Sequence, residues 1–180
     1  MYVDGGPDLY TSETRTNGNL DATGLAHLLA LPGHLPQLAG IGPTTPLLTP
    51  REVAYGHGLP DGAHERRLLD DLGITHIPAG RVHQDVAAAA GHARAQVEAA
   101  APAFVLHVDV DVLAFVGAPL SDVPQPFGLT LDELTASVAA FVASSRLAGL
   151  VITEINPDHV PDPGIPQQFV TTLTTALAAP

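Results

Sequence analysis

Hydrophobic positions along this chain follow two rhythms. Short apolar runs of strand length alternate with longer stretches whose apolar residues recur every three or four positions. Tyr2 and Val3 read as the tail of a strand, followed by a turn-rich Asp4-Gly5-Gly6-Pro7-Asp8 loop. Residues 25–31 predict a short helix stopped by Pro32-Gly33. Residues 47–55 predict a strand made irregular by Pro50. Residues 63–72 predict a helix ending at Gly73, residues 74–77 a short strand, and residues 82–100 one Ala-rich surface helix. Residues 104–113 form the strongest strand pattern, apolar enough to be buried on both faces of a parallel sheet. A Pro-rich loop over 119–127 leads to a helix over 131–145, with Thr130 as N-cap and Glu133 in the capping-box position. Residues 150–155 predict a second buried strand, 157–166 a loop and 167–178 a closing helix. Strands alternating with helices predict an α/β fold with a mainly parallel sheet, in a single domain over 1–180. Functional residues are then expected at the carboxyl ends of the strands.

Charge and composition narrow the chemistry. The net charge is −12, carried against seven Arg and no Lys. Such a surface repels phosphate backbones, so nucleic acid is not an expected partner, and cationic ligands are favoured. An acidic surface also serves solubility alone. P-loop nucleotide binding and Schiff-base chemistry both need a Lys, which is missing. Without Cys the chain has no disulfide, thiolate zinc site or cysteine nucleophile. No apolar run reaches the ~20 residues that cross a bilayer, and Asp4 interrupts any secretory h-region, so a cytoplasmic location is expected.

Three acidic motifs stand at predicted strand ends. Asp4 and Asp8 follow the first strand, Asp109 and Asp111 sit in His107-Val108-Asp109-Val110-Asp111, and Glu154 lies in Thr153-Glu154-Ile155-Asn156-Pro157. Side chains two apart on a strand share a face, so Asp109 and Asp111 are expected to point at one site. Clustered carboxylates raise one another's pKa and need a compensating cation; hard divalent ions such as Mg or Mn suit oxygen ligands. Taken singly, Asp-x-Asp is also a helix-capping or solvated pair, and Asp4 with Asp8 also reads as turn-forming. His107 shares the Asp109 face but is expected deeper in the sheet, as a core histidine or a partner of the ligands. His57, His64 and His159 are expected in solvated loops.

In order, Asp-x-x-x-Asp, Asp-x-Asp and Glu-x-Asn-Pro resemble the ureohydrolases: arginase, agmatinase, formimidoylglutamase and their relatives. Thr16-Asn17-Gly18-Asn19-Leu20 resembles the family's loop after its first motif, and Gln125-Pro126-Phe127-Gly128-Leu129-Thr130 the loop before the helix that follows Asp-x-Asp. The resemblance runs from residue 2 to about residue 178. It implies a three-layer α/β/α sandwich, a homo-oligomer, and two manganese ions that activate a shared water against a guanidinium carbon. By position, Asp4, Asp8, Asp109 and Asp111 match the metal ligands. Glu154 matches the acid that binds the guanidinium group, which is also a catalytic position. Asp21 falls at the catalytic-loop position, and Asn19 and Asp61 are the other expected substrate contacts.

The departures bear on activity. Gly6 stands where the family has a metal-binding His, and Asp21 where it has the proton-shuttling His. A further His ligand belongs to a Gly-Gly-Asp-His type segment that would precede residue 1, so truncation or a misassigned start is expected, with the family's first strands missing. Four carboxylates then remain, and one weakly held ion is expected in place of two, with Mg as a candidate beside Mn. The resemblance thus implies hydrolysis of a guanidino or amidino C–N bond, impaired in this chain. The alternative is a non-catalytic relative that binds a divalent cation or serves as a partner subunit. An Asp-x-Asp phosphohydrolase of the haloacid-dehalogenase type would also use a Lys, which is missing.

Overall fold

A computed structural model describes residues 1–60 and 62–178. Five strands form one sheet: β1 (Tyr2–Asp4), β2 (Ala54–His57), β3 (Thr75–Ile77), β4 (Phe104–Asp109) and β5 (Leu147–Thr153). Their order across the sheet is β3-β2-β1-β4-β5, and every pairing is parallel. Among the described residues, seven α-helices lie between and after them: α1 (Gly24–Leu28), α2 (Pro36–Ala39), α3 (Gly62–Leu72), α4 (Ala79–Gln84), α5 (Val86–Ala100), α6 (Leu131–Val142) and α7 (Gly164–Ala178).

Side-chain alternation along the strands divides the core into two faces. Met1, Val3, Ala54, Leu106 and Val108 pack with Ala90, Ala93, Leu134, Phe141 and Phe169 of α5, α6 and α7. Tyr2 and Tyr55 point the other way and pack with Leu25, Leu29 and Leu69 from the α1 and α3 side. The sheet is therefore the middle of three layers, as the resemblance implied.

Several elements differ from the sequence reading, each for a local reason. The helix expected over 82–100 is two helices: Asp85 is extended (φ −162°) and its carboxylate caps α5 by accepting the Ala88 N–H at 2.9 Å. In the stretch 47–55, Pro50 starts a 3-10 turn (Pro50–Glu52), and only the end of the run becomes strand. β4 stops at Asp109, so Asp111 is not on the strand but in a 3-10 turn, Val110–Val112, in which the Asp111 N–H is turned back on the Asp109 carboxylate. β5 begins at Leu147 and is an edge strand, with Val151 47% exposed, instead of a fully buried one. α7 starts three residues early because Pro166 fits a first helical turn, where its missing N–H leaves no bond unmade. Thr130 and Glu133 form the capping box at α6 that the motif predicted.

β1 is the centre of the fold and its switch point. The chain leaves β1 towards β2 and β3, then returns to β4 on the opposite side. Loops after β1 and β4 therefore diverge and open a crevice at their carboxyl ends. Register brings the acids there: Asp4 is level with His57, Val3 with Val108, and Asp109 with Thr153.

Gly58, directly after β2, sets how closely the β2 loop approaches the end of β1. A Cβ at this position would be driven into the carbonyl oxygens of Asp4 and Gly5. Gly58→Ala is expected to cost about 2 kcal/mol, because the clash is with backbone and not with a movable side chain. A urea-denaturation midpoint unchanged from wild type would contradict this.

Candidate functional site

The first two acidic motifs meet through backbone contacts. The Gly5 N–H donates to Asp111 Oδ1 at 2.7 Å. A Cβ on Gly5 would stand 2.7 Å from the Asp111 carboxylate, so only glycine lets the two loops close this far. The Gly6 N–H donates to Asp4 Oδ1 at 2.9 Å. Asp109 Oδ1 accepts the Asp111 N–H at 3.1 Å, and its Oδ2 accepts the Thr153 hydroxyl at 2.7 Å. Asp8, in the left-handed region at φ 50°, accepts the Tyr2 hydroxyl at 2.6 Å. Asp4, Asp109 and Asp111 are buried, Asp8 is half-buried, and all four lie at one end of the sheet.

Electrostatics at this cluster are adverse to ionisation. Burial, then the charges of Asp8 and Asp111, holds the Asp4 carboxyl well above the usual carboxylate range. Burial raises Asp8 to about 8 despite the Tyr2 hydrogen bond, and burial with the Asp109 charge raises Asp111 to about 7. Protein groups alone do not neutralise the cluster, and a divalent cation is the partner such a donor set fits.

Glu154 follows β5 directly and takes φ 63°, which turns its side chain back towards the cluster. Desolvation, then its hydrogen bond with Asp21, raises its carboxyl to about 9. One of its carboxylate oxygens is buried with no hydrogen-bond partner. Oxygens of Asp21, Asp109 and Glu154 lie within 4.8 Å of one another. Asp21 is exposed at the start of a 3-10 turn whose other two residues are buried, and its N–H donates to Asn19 Oδ1 at 3.1 Å. Asn19 thus spends its carbonyl oxygen on shaping the loop.

Above the cluster is a cavity of about 320 Å³ lined by Asp8, Asn19, Asp21 and Asp111, with Tyr10 and Arg15 among its other walls. Asp4, Asp109 and Glu154 do not line it. Asp61 lies outside the described residues. The cavity also meets Glu65, which the sequence reading passed over; it is 1% exposed and accepts the Leu9 N–H at 3.1 Å. A signal for it was present, since Glu65 occupies the stripe of α3 that continues through Leu69 and Leu72.

Two histidines depart from expectation. His57 ends β2 fully buried, with its ring pKa lowered to about 4 by desolvation, instead of lying in a solvated loop. His64 is on α3, half-buried and stacked on Tyr10 with centroids 5.4 Å apart. His107 takes the second of its two expected places, beside a predicted ligand: its ring stacks on Tyr2 at 4.3 Å and its Nε2 reaches to 3.6 Å from Asp4 Oδ2. Burial lowers its pKa.

The arginase family's sequence profile matches residues 2–179. The chain belongs to the arginase family. Solved relatives share the fold at low identity. Against the arginase of Bacillus caldovelox the TM-score is 0.89 at 21% identity, covering 99% of this chain and 60% of that one. The arginase of Entamoeba histolytica, solved with L-ornithine, gives 0.85 at 22%, covering 98% and 59%. The proclavaminate amidino hydrolase of Streptomyces clavuligerus gives 0.73 at 19%, covering 98% and 52%. No curated protein matches the sequence. This arginase-family chain thus spans about three-fifths of the length of the arginases it resembles. Among its described residues no helix is long and apolar enough to cross a membrane.

Proposed function

We propose that residues 1–180 act as one ureohydrolase-like domain that hydrolyses a C–N bond of a small guanidino or amidino compound with a divalent metal. The observation that carries this reading is the gathering of Asp4, Asp8, Asp109 and Asp111 at the carboxyl end of the sheet beside the switch point, Asp4 and Asp109 with oxygens within 4.8 Å of each other, and with burial raising the carboxyls of Asp4, Asp8 and Asp111 above the ordinary range. These four residues would hold the ion, manganese by family precedent. A divalent ion there supplies Lewis acidity and lowers the pKa of water, which is the nucleophile a guanidinium carbon requires.

The chain's own residues divide the remaining tasks. Glu154 accepts N–H bonds from the guanidinium group through its unpartnered oxygen, and the approaching cation favours its ionised form. Glu154 is hydrogen-bonded to Asp21 and, with its carboxyl raised to about 9, brings a proton that can pass to the departing amine as the guanidinium group binds. Asn19 holds Asp21 in place through its backbone N–H. A cavity of about 320 Å³, which Asp21 lines and Glu154 does not, fits the body of a compound of amino-acid size whose guanidinium end would reach past Asp21 to Glu154, in keeping with the L-ornithine of the Entamoeba relative.

Turnover is expected to be slow, because Gly6 and Asp21 occupy positions where the family has histidines. The test is urea and ammonia release from arginine, agmatine and guanidino acids with added Mn, before and after chelation. Slow release that chelation abolishes is the expected result. No release at any metal concentration would sink the enzyme reading. Gly6 and Asp21 favour, in that event, a non-catalytic family member that binds a cation.

A further inference from the structure

Losing its family histidines would leave this site with oxygen ligands alone, yet the fold brings another nitrogen to it. Within the described residues, one group of potential ligand atoms combines nitrogen with oxygen: His107, Asp4 and Asp109, all within 4.8 Å of one another. The arrangement follows from register. Tyr2 is level with His107 across the β1–β4 pair, so the Tyr2 ring lies flat against the imidazole and fixes its plane. The Tyr2 hydroxyl is itself anchored on Asp8. The imidazole is thereby aimed along the strand towards Asp4, the last residue of β1.

Free valences meet there. His107 Nε2 is buried with no hydrogen-bond partner. Asp4 uses Oδ1 for the Gly6 N–H, leaving Oδ2, the atom 3.6 Å from Nε2. That separation is too long for a hydrogen bond. It is close to the ~3.0–3.5 Å between two atoms that each lie ~2.1 Å from one ion. Asp109 is held by Thr153, and metal ligands are generally oriented by such outer contacts.

We propose that His107 is a metal ligand of this chain, supplying through Nε2 the nitrogen that Gly6 no longer can, in a mixed site with Asp4 and Asp109. The proposal rests on the reading that the carboxylate cluster holds a divalent ion. Its consequence is selectivity. Imidazole adds little for Mg or Ca and much for transition ions, so the site keeps a preference for Mn or Zn over Mg that four carboxylates alone would lose.

Calorimetry with Mn and Mg, combined with pulsed electron paramagnetic resonance of the Mn-loaded protein, tests it without reference to turnover. Wild type is expected to show coupling to a directly bound nitrogen. His107→Phe keeps a ring on Tyr2 but has no ligand atom; it should lose that coupling and bind Mn about 30-fold more weakly, with Mg affinity nearly unchanged. His107→Gln provides the same readings should the Phe variant fail to fold, as judged by circular dichroism. Mn binding without nitrogen coupling, or coupling and affinity retained in both variants, overturns the role of His107 and leaves the proposed function standing. Failure of the wild type to bind either ion overturns both.

Discussion

Asp109→Ala is expected to abolish specific divalent-ion binding, weakening Mn affinity about 1000-fold and reducing any urea release to background. Removing an outer partner of a metal site typically costs about 10–100-fold, and Asp109 holds a more central position than that. It is the one residue common to both groups of convergent ligand atoms, Asp4-His107-Asp109 and Asp21-Asp109-Glu154. Its removal therefore disconnects the β1 side of the site from the β5 side. Two structural bonds go with it, from the Asp111 N–H and the Thr153 hydroxyl. Asp109→Asn separates the two effects. An amide can still accept one of those hydrogen bonds, but it brings no charge, so this variant should fold like the wild type and still bind metal poorly. Titration calorimetry decides the matter: Mn binding unchanged in Asp109→Ala would defeat the metal assignment.

Metal-free protein is expected to lose stability as pH rises, and a divalent ion to restore it. Asp8 and Asp111 keep their protons in the folded state to about pH 8 and 7, whereas an unfolded chain releases them near pH 4. Glu154, raised to about 9, works in the same direction. Between these limits the folded state binds more protons than the unfolded one. Stability is thus full below about pH 4 and falls as pH climbs through the folded-state values. Acid would stabilise this site, the reverse of a carboxylate engaged in a salt bridge. From pH 5 to pH 8 each proton held only in the folded state costs about 1.4 kcal/mol per pH unit, so a single such group gives a loss on the order of 4 kcal/mol, or roughly 10 °C in Tm for a chain of this size. Mn at about 100 times its Kd adds about 2.7 kcal/mol, a rise of about 5–10 °C. That gain should be greatest near pH 8 and small near pH 5, where protons compete for the same oxygens. Scanning calorimetry at pH 5 and 8, with and without Mn, checks both signs. A flat metal-free profile, or equal Mn gains at the two pH values, would contradict the electrostatics of the cluster.

Much of this architecture could be read along the chain. Strand and helix order followed from apolar rhythm, and the capping box at Thr130 and the helix stop at Gly73 followed from local chemistry, because each depends on neighbours within four residues. The acidic motifs were visible as acids at strand ends. How they meet was not. Asp109 and Asp111 appeared to share a strand face, but a 3-10 turn intervenes, and Asp111 reaches the site by bonding Gly5 across more than a hundred residues. β5 looked buried because its residues are apolar; it is an edge, and what lies beside a strand is not written in that strand.

What the sequence determined by itself is lineage and inventory: an arginase-family α/β chain, with four carboxylates in order and Gly6 and Asp21 among them. Tertiary structure alone decided the company those residues keep. Register between β1 and β4 set the ring of Tyr2 under His107 and turned that histidine towards Asp4. Burial, a property of the whole packed molecule, turned ordinary carboxyls into groups that hold their protons near neutrality. Both effects arise between segments far apart in the chain, where no local pattern of residues can report them.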